Sequence, residues 1–245
     1  MKQILLTVSE NERVARDVYR MVLSGDVSAV TAPGQFVNLA LDGKFLRRPI
    51  SVCDRDGDGI TLLYKVVGQG TAQMAGLPGG RRLDVLTGLG NGFDLDAARG
   101  HTLLIGGGIG AAPLYWLARE LKARGVETTA VLGFNGAADI YYEKEFSALC
   151  DHGILATADG SRGVRGFVTD AMKGLAYDFF YACGPEQMLR AVWRESISDG
   201  ELSFEERMGC GFGACMGCSC RTLTGYKRIC KDGPVLRKGE IAWAD

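Results

Sequence analysis

Residues 101–125 read HTLLIGGGIGAAPLYWLARELKARG. The stretch opens on an apolar run. Four glycines then fall within five positions (Gly106, Gly107, Gly108 and Gly110), and Leu114, Leu117, Ala118 and Leu121 follow at three- and four-residue spacing. The pattern predicts a buried strand, a tight turn and an amphipathic helix. Glycine at such a junction lets backbone approach a pyrophosphate, whose charge then meets the helix N-terminus. Two registers fit: Gly106, Gly108 and Ala111 match G-x-G-x-x-G/A, and Gly108, Gly110 and Pro113 give G-x-G-x-x-P. A glycine turn can also serve packing alone. In this strand–turn–helix setting dinucleotide binding is the expected role.

The grammar continues toward the C-terminus. ETTAVLGFN, GILATADGS and YDFFYACG read as further strands, and EKEFSALC, VTDAMKG and PEQMLRAVWRESI as helices between and after them. Alternating strand and helix predicts a parallel sheet with crossover helices. The second strand does not end in an acid that would hold a ribose 2′-hydroxyl, and no arginine pair follows for a 2′-phosphate. NAD(H) is therefore expected over NADP(H).

Toward the N-terminus the period shortens. QILLTVSENERV, VYRMVLSG, GQFVNLAL, RPISVCDRDGDG, ITLLYKVVG and RRLDVLTGLG are short strand-like runs, and DGDG at 56–59 reads as a hairpin turn. The expected fold is thus multi-part. An antiparallel β-barrel spans 1–97, an α/β parallel-sheet nucleotide domain 98–201, and a small cysteine-rich module 202–245.

That module contains MGCGFGACMGCSC at 208–220. Cys210, Cys215 and Cys218 have the spacing C-x4-C-x2-C, the run with which plant-type ferredoxins hold a 2Fe–2S cluster, completed by a fourth thiolate downstream. Cys220 and Cys230 are the available fourth ligands. Cys220 follows Cys218 almost at once, whereas Cys230 can return on a separate strand, and Cys230 is the expected choice. Gly209, Gly211, Gly213, Ala214 and Gly217 suit a loop wrapped around a cluster. Structural zinc could use the same thiolates, but its sites pair shorter knuckles evenly. A zinc-stabilised adaptor without enzymatic activity is the alternative from a different functional class.

Composition narrows the field further. Of 245 residues 47% are hydrophobic and 23% charged, with a net charge of −1, so nothing suggests nucleic acid or an anionic membrane as partner. No signal peptide and no apolar stretch of membrane-spanning length is visible, so a cytoplasmic location is expected, where clustered cysteines stay reduced. Acid–base machinery is scarce. The two histidines, His101 before a strand and His152 in a loop, are read as surface residues, and no general acid or base is assigned.

RRPIS at 47–51 resembles the R-x-x-S signature of the ferredoxin-reductase superfamily, whose barrel binds a flavin and whose α/β domain binds nicotinamide nucleotide. LYKVVGQGT at 63–71 resembles its second flavin segment, and YACGPEQML at 181–189 its C-G-P strand end beside the nicotinamide. The resemblance implies FAD contacts from Arg48, Pro49, Ile50 and Ser51, from Leu63, Tyr64 and Lys65 along the flavin, and from Gly70 and Thr71 at the phosphates. For NAD it implies Gly106, Gly107, Gly108, Gly110 and Pro113 with Cys183, Gly184 and Pro185.

With EERMGCGFGACMGCSC and YKRICKDGPV added, the whole chain resembles the electron-transfer subunits of type B dihydroorotate dehydrogenase. That family implies a 2Fe–2S cluster on Cys210, Cys215, Cys218 and Cys230, with FAD bound and NAD+ as acceptor. It also implies a heterotetramer with an FMN-containing catalytic subunit that oxidises dihydroorotate, in pyrimidine (UMP) biosynthesis. The gap from Cys218 to Cys230 is tighter than the family pattern, and Cys220 is extra. A subunit of an NAD(P)H–ferredoxin or sulfide/sulfur oxidoreductase is the nearest rival; some of those replace the first cysteine by aspartate, and Cys210 favours the pyrimidine enzyme.

Overall fold

The computed structural model describes residues 1–243. Six antiparallel strands, β1 (Lys2–Ala15), β2 (Val18–Ser24), β3 (Phe36–Leu39), β4 (Arg48–Asp56), β5 (Gly59–Lys65) and β6 (Arg82–Leu89), close a barrel in the order β1-β2-β5-β4-β3-β6. Each falls on one of the runs read from the sequence, β1 overrunning its run by a single residue at each end and β5 by one at its start. Leu6, Met21, Leu23, Val37, Val52, Leu62 and Val85 point inward and are fully buried, and closure leaves no free edge. Asp56 pairs with Gly59 across the expected two-residue turn.

Between β5 and β6 stands α1 (Gln69–Ala75), a helix that the sequence reading treated as flavin-binding backbone. Thr71 Oγ1 starts it by accepting from Val67 N (2.9 Å) and Gly68 N (3.2 Å). Asn11 then ties its end to the barrel, donating to Met74 O at 2.9 Å and Leu77 O at 3.0 Å.

The nucleotide domain is built on β7 (His101–Gly107), β8 (Glu127–Phe134), β9 (His152–Thr157), β10 (Val164–Arg165), β11 (Phe179–Cys183) and β12 (Asp199–Ser203), all parallel. The helices are α2 (Ala112–Ala123), α3 (Glu143–Leu149), α4 (Val168–Met172) and α5 (Glu186–Glu195). A separate hairpin, β13 (Ser219–Thr222) with β14 (Gly225–Arg228), lies between Cys218 and Cys230 of the cysteine module. The chain then returns as β15 (Val235–Arg237), antiparallel on β12, giving a sheet ordered β10-β9-β8-β7-β11-β12-β15. The module is therefore stitched at both ends to the nucleotide sheet.

Helix α2 joins the two large parts. Leu114, Leu117, Ala118 and Leu121 are fully buried as the stripe predicted, while Trp116 packs into the barrel cluster. Arg119 pairs with Asp54 at 2.6 Å and donates to Arg55 O at 2.8 Å. A second pin is Arg16, whose guanidinium grips Asp139 through Nε (3.0 Å) and Nη2 (2.6 Å).

His101 departs from its surface assignment. It lies inside β7, half-buried, with its ring nitrogens 2.8 Å from Ala176 O and 2.8 Å from Thr129 Oγ1, a structural brace. His152 is exposed, but it opens β9 rather than lying in a loop. Among the described residues no helix is long and apolar enough to cross a membrane.

Candidate functional site

The parallel strands end at a cavity of about 580 Å3 between barrel and nucleotide domain, the position where open α/β sheets take ligands. Gly107, Gly108 and Pro185 line it from the sheet side, and Val18 and Lys65 from the barrel. The glycine run divides its work. Gly110 is a close-packing residue: a Cβ there would sit 2.5 Å from Cys183 O and 2.6 Å from Gly184 Cα. Gly108 is the opposite. It takes φ +54°, and nothing lies within 4 Å of where its Cβ would be, so the backbone is bare toward the cavity. Tyr141 OH fixes that bare turn by donating to Gly108 O at 2.9 Å. Gly106 packs on Ala111, and Pro113 is buried at the start of α2.

Of the C-G-P strand end, Pro185 reaches the cavity, Gly184 packs against Met188, and Cys183 is buried, its thiol pushed well up by that burial. Two acids in the cavity wall were not visible from the sequence. Asp139 is held below the usual carboxylate range by hydrogen bonds from Arg16. Glu205 is open to the cavity yet recessed among its walls, and this desolvation raises its carboxyl. Phe167, largely exposed at the rim, also had no sequence signal.

On the barrel, Arg48, Pro49, Ile50 and Ser51 run half-exposed along β4. The Arg48 guanidinium packs against Gly70, where any Cβ would overlap it. Among the described residues its hydrogen bonds come from Nη1 alone, to the carbonyls of Leu46 and Arg47, so Nε and Nη2 have no acceptor there. A half-exposed guanidinium with free donors suits a phosphate. Gly70 gives that guanidinium its seat and is itself buried, and the Thr71 hydroxyl proton is already donated to Gly68 O at 3.1 Å. Leu63 and Tyr64 are buried, and Lys65 alone of that run reaches the cavity.

The cysteines form two pairs. Cys210 N points at Cys215 Sγ (3.4 Å), and Cys215 N at Cys210 Sγ (3.4 Å); Cys230 N points at Cys218 Sγ (3.4 Å). Burial opposes ionisation of Cys210, but amides of Phe212, Cys215 and Ala214 outweigh it and bring the thiol down to about 6. Cys230 is pushed up to about 12 by burial and by its sulfur neighbours Cys218 and Cys210. Among the described residues no three His, Cys, Asp or Glu groups converge as one ion requires. Two cysteine pairs with backbone amides directed at their sulfurs fit a dinuclear cluster. Cys220 stands apart, lining a different cavity of about 70 Å3.

One contact links the motifs. Asn38 of β3 lies opposite Pro49 of β4, and its Nδ2 donates to Cys210 O at 3.4 Å. The cysteine loop therefore rests beside the strand that carries RRPIS. Asn38 Oδ1, buried at this junction, has no hydrogen-bond partner among the described residues.

Comparison with known proteins follows the same division. Residues 104–194 match the oxidoreductase NAD-binding domain, and residues 205–242 match the iron–sulfur cluster binding domain of dihydroorotate dehydrogenase B. The electron-transfer subunit of dihydroorotate dehydrogenase B (NAD+) from Geobacillus sp. (strain WCH70) is 45% identical, covering 98% of this chain and 99% of the relative. The subunit of the same name from Fusobacterium nucleatum is 42% identical, over 96% of each chain. The chain belongs to this family of electron-transfer subunits.

Among solved structures, one of an NADH-dependent reduced ferredoxin–NADP oxidoreductase, described in the context of flavin-based electron bifurcation, matches with a TM-score of 0.89 at 32% identity. It covers 99% of this chain, and the match spans 91% of that one. A ferredoxin NADP+ reductase from Neisseria gonorrhoeae shares the fold at 16% identity, with a TM-score of 0.71 over 80% of this chain. Family membership decides for an oxidoreductase subunit over a zinc adaptor. The family's cluster domain begins at Glu205, so this module also supplies part of the nucleotide cavity wall.

Proposed function

We propose that this chain takes electrons from a dihydroorotate-oxidising catalytic subunit carrying FMN and delivers them to NAD+, serving pyrimidine (UMP) biosynthesis. When bound, the 2Fe–2S cluster supplies one-electron carriage, and FAD supplies the exchange between single electrons and the hydride that NAD+ accepts. Cys210 with Cys215 and Cys218 with Cys230 hold the cluster. Arg48, packed over Gly70, binds the flavin pyrophosphate, and Pro49, Ile50 and Ser51 flank the flavin along β4. Gly108 presents open backbone to the dinucleotide, and Pro185 borders its nicotinamide end.

The observation that carries this reading is the Asn38–Cys210 contact, which sets the cysteine loop against the flavin strand. On β5, the other neighbour of the flavin strand β4, Lys65 lines the nucleotide cavity. The two pins, Arg16–Asp139 and Arg119–Asp54, hold barrel and nucleotide domain in one geometry. Hydride transfer needs that alignment more than a protonating side chain. Phe212 and Met216, apolar and exposed on the cysteine loop, offer the catalytic subunit a docking face. The assembly is a heterotetramer in the cytoplasm.

A second reading takes reduced ferredoxin as the electron source, favoured by the solved relative at 32% identity. One experiment separates them. The chain, co-purified anaerobically with its catalytic subunit, is given dihydroorotate and NAD+, and NADH formation is followed. NADH formation that requires both subunits supports the proposal. NADH formation from reduced ferredoxin but not from dihydroorotate overturns it.

A further inference from the structure

Arg228 ends the hairpin strand β14, two residues before Cys230, and makes a set of contacts that the functions above do not use. Its Nε donates to Asp232 Oδ2 at 2.9 Å and its Nη2 to Asp232 Oδ1 at 3.1 Å, a planar fork. The backbone amide of Arg228 donates to the same carboxylate at 2.9 Å. Its Nη1 donates to Gly213 O at 2.9 Å. Gly213 lies inside the loop between Cys210 and Cys215, whereas Arg228 and Asp232 bracket Cys230. One guanidinium thus ties together the segments carrying both cysteine pairs.

The backbone also sets this group beside the second cysteine pair. Across the hairpin Arg228 pairs with Ser219, the residue after Cys218, and along the chain it precedes Cys230 by two positions. Resting on the cluster assignment above, we propose that the Arg228–Asp232 ion pair sets the reduction potential of the cluster. Reduction adds one negative charge to an already anionic centre. A fixed cation beside Cys218 and Cys230 stabilises that added charge and raises the potential, and Asp232 tempers the effect. Arginine suits the task because its fork locks the charge in place, which a lysine ammonium does not.

The test is an EPR-monitored redox titration of the intact complex, comparing wild type with Arg228→Gln, Arg228→Lys and Asp232→Asn. Arg228→Gln is expected to shift the one-electron equilibrium with a reference mediator about tenfold toward the oxidised cluster, a fall of about 59 mV. Asp232→Asn is expected to shift it the opposite way, and Arg228→Lys to stay nearer wild type than Arg228→Gln. A purely structural pair would loosen the cluster in both variants without opposite shifts in potential. Shifts of the same sign, or none in either variant, overturn the proposal. If Arg228→Gln loses its cluster, Asp232→Asn decides, and an unmoved or lowered potential there refutes the idea. A wild-type complex with no iron–sulfur signal would instead refute the cluster assignment itself.

Discussion

Alanine at Gly108 and alanine at Gly110 should fail in different ways, because neighbouring glycines of one turn face opposite surroundings. At Gly108 the backbone has φ +54°, and a Cβ would meet nothing within 4 Å. The cost of Gly108→Ala is then only the left-handed conformation, roughly 1–2 kcal/mol for an L-residue. At about 2–4 °C per kcal/mol for a chain of this size, the unfolding midpoint falls by roughly 2–8 °C. The new methyl projects from the bare face of the turn into the cavity, so NADH affinity falls by about tenfold or more, the equivalent of ~1.4 kcal/mol. At Gly110 the Cβ would sit 2.5 Å from Cys183 O and 2.6 Å from Gly184 Cα. Both are backbone atoms that cannot rotate away. Gly110→Ala must therefore push the β7–α2 turn off the β11–α5 turn, at an overpacking cost of about 1–3 kcal/mol or more. Thermal unfolding followed by circular dichroism reads the first quantity. Equilibrium binding of NADH to protein pre-reduced with dithionite reads the second, since no turnover then occurs. Wild-type NADH affinity in Gly108→Ala, or an unshifted midpoint in Gly110→Ala, would refute this division of labour.

Three further outcomes are expected. Cys230→Ser should lose the cluster, measured as iron and labile sulfide per chain, whereas Cys220→Ser should keep it, because Cys220 lines a separate cavity. Arg48→Gln should weaken FAD retention by an order of magnitude, read by flavin fluorescence after dialysis. The apoprotein's melting point should hold, since Arg48 bonds only to nearby carbonyls. Glu201, 4% exposed on β12, has its carboxyl raised by burial to about 7 from a usual 4.5. Between those values the unfolded chain has released a proton that the folded protein still holds, so stability falls as pH rises, by at most about 3 kcal/mol from this group. Glu201→Gln should remove that slope: its melting point should gain on wild type from pH 5 to pH 7 and run parallel above, and a constant difference would count against the assignment.

The barrel and the alternating sheet were legible because period-2 strands and the stripe on α2 record which faces are buried. What escaped was structure with little local signal. Helix α1 is seven residues long and begins at a hydroxyl cap rather than an apolar stripe. The pairing of β12 with β15 joins very short strands across the whole cysteine module. Cysteine spacing in the chain pointed to a tetrathiolate, yet the link from Asn38 to Cys210 spans 172 positions and exists only once barrel and module meet. Glu205 and Phe167 likewise become cavity walls through the placement of elements that the sequence presents far from the glycine turn.

The central claim, that this chain moves electrons between an iron–sulfur cluster, FAD and NAD+, is tested most directly on anaerobically purified protein. Iron, labile sulfide, zinc and flavin are quantified, and the visible spectrum is recorded during titration with NADH. The account predicts two irons, two sulfides and one FAD per chain, as a 2Fe–2S flavoprotein requires, with flavin and cluster absorbance bleached by NADH. Zinc in place of iron, with no flavin and no response to NADH, would contradict it.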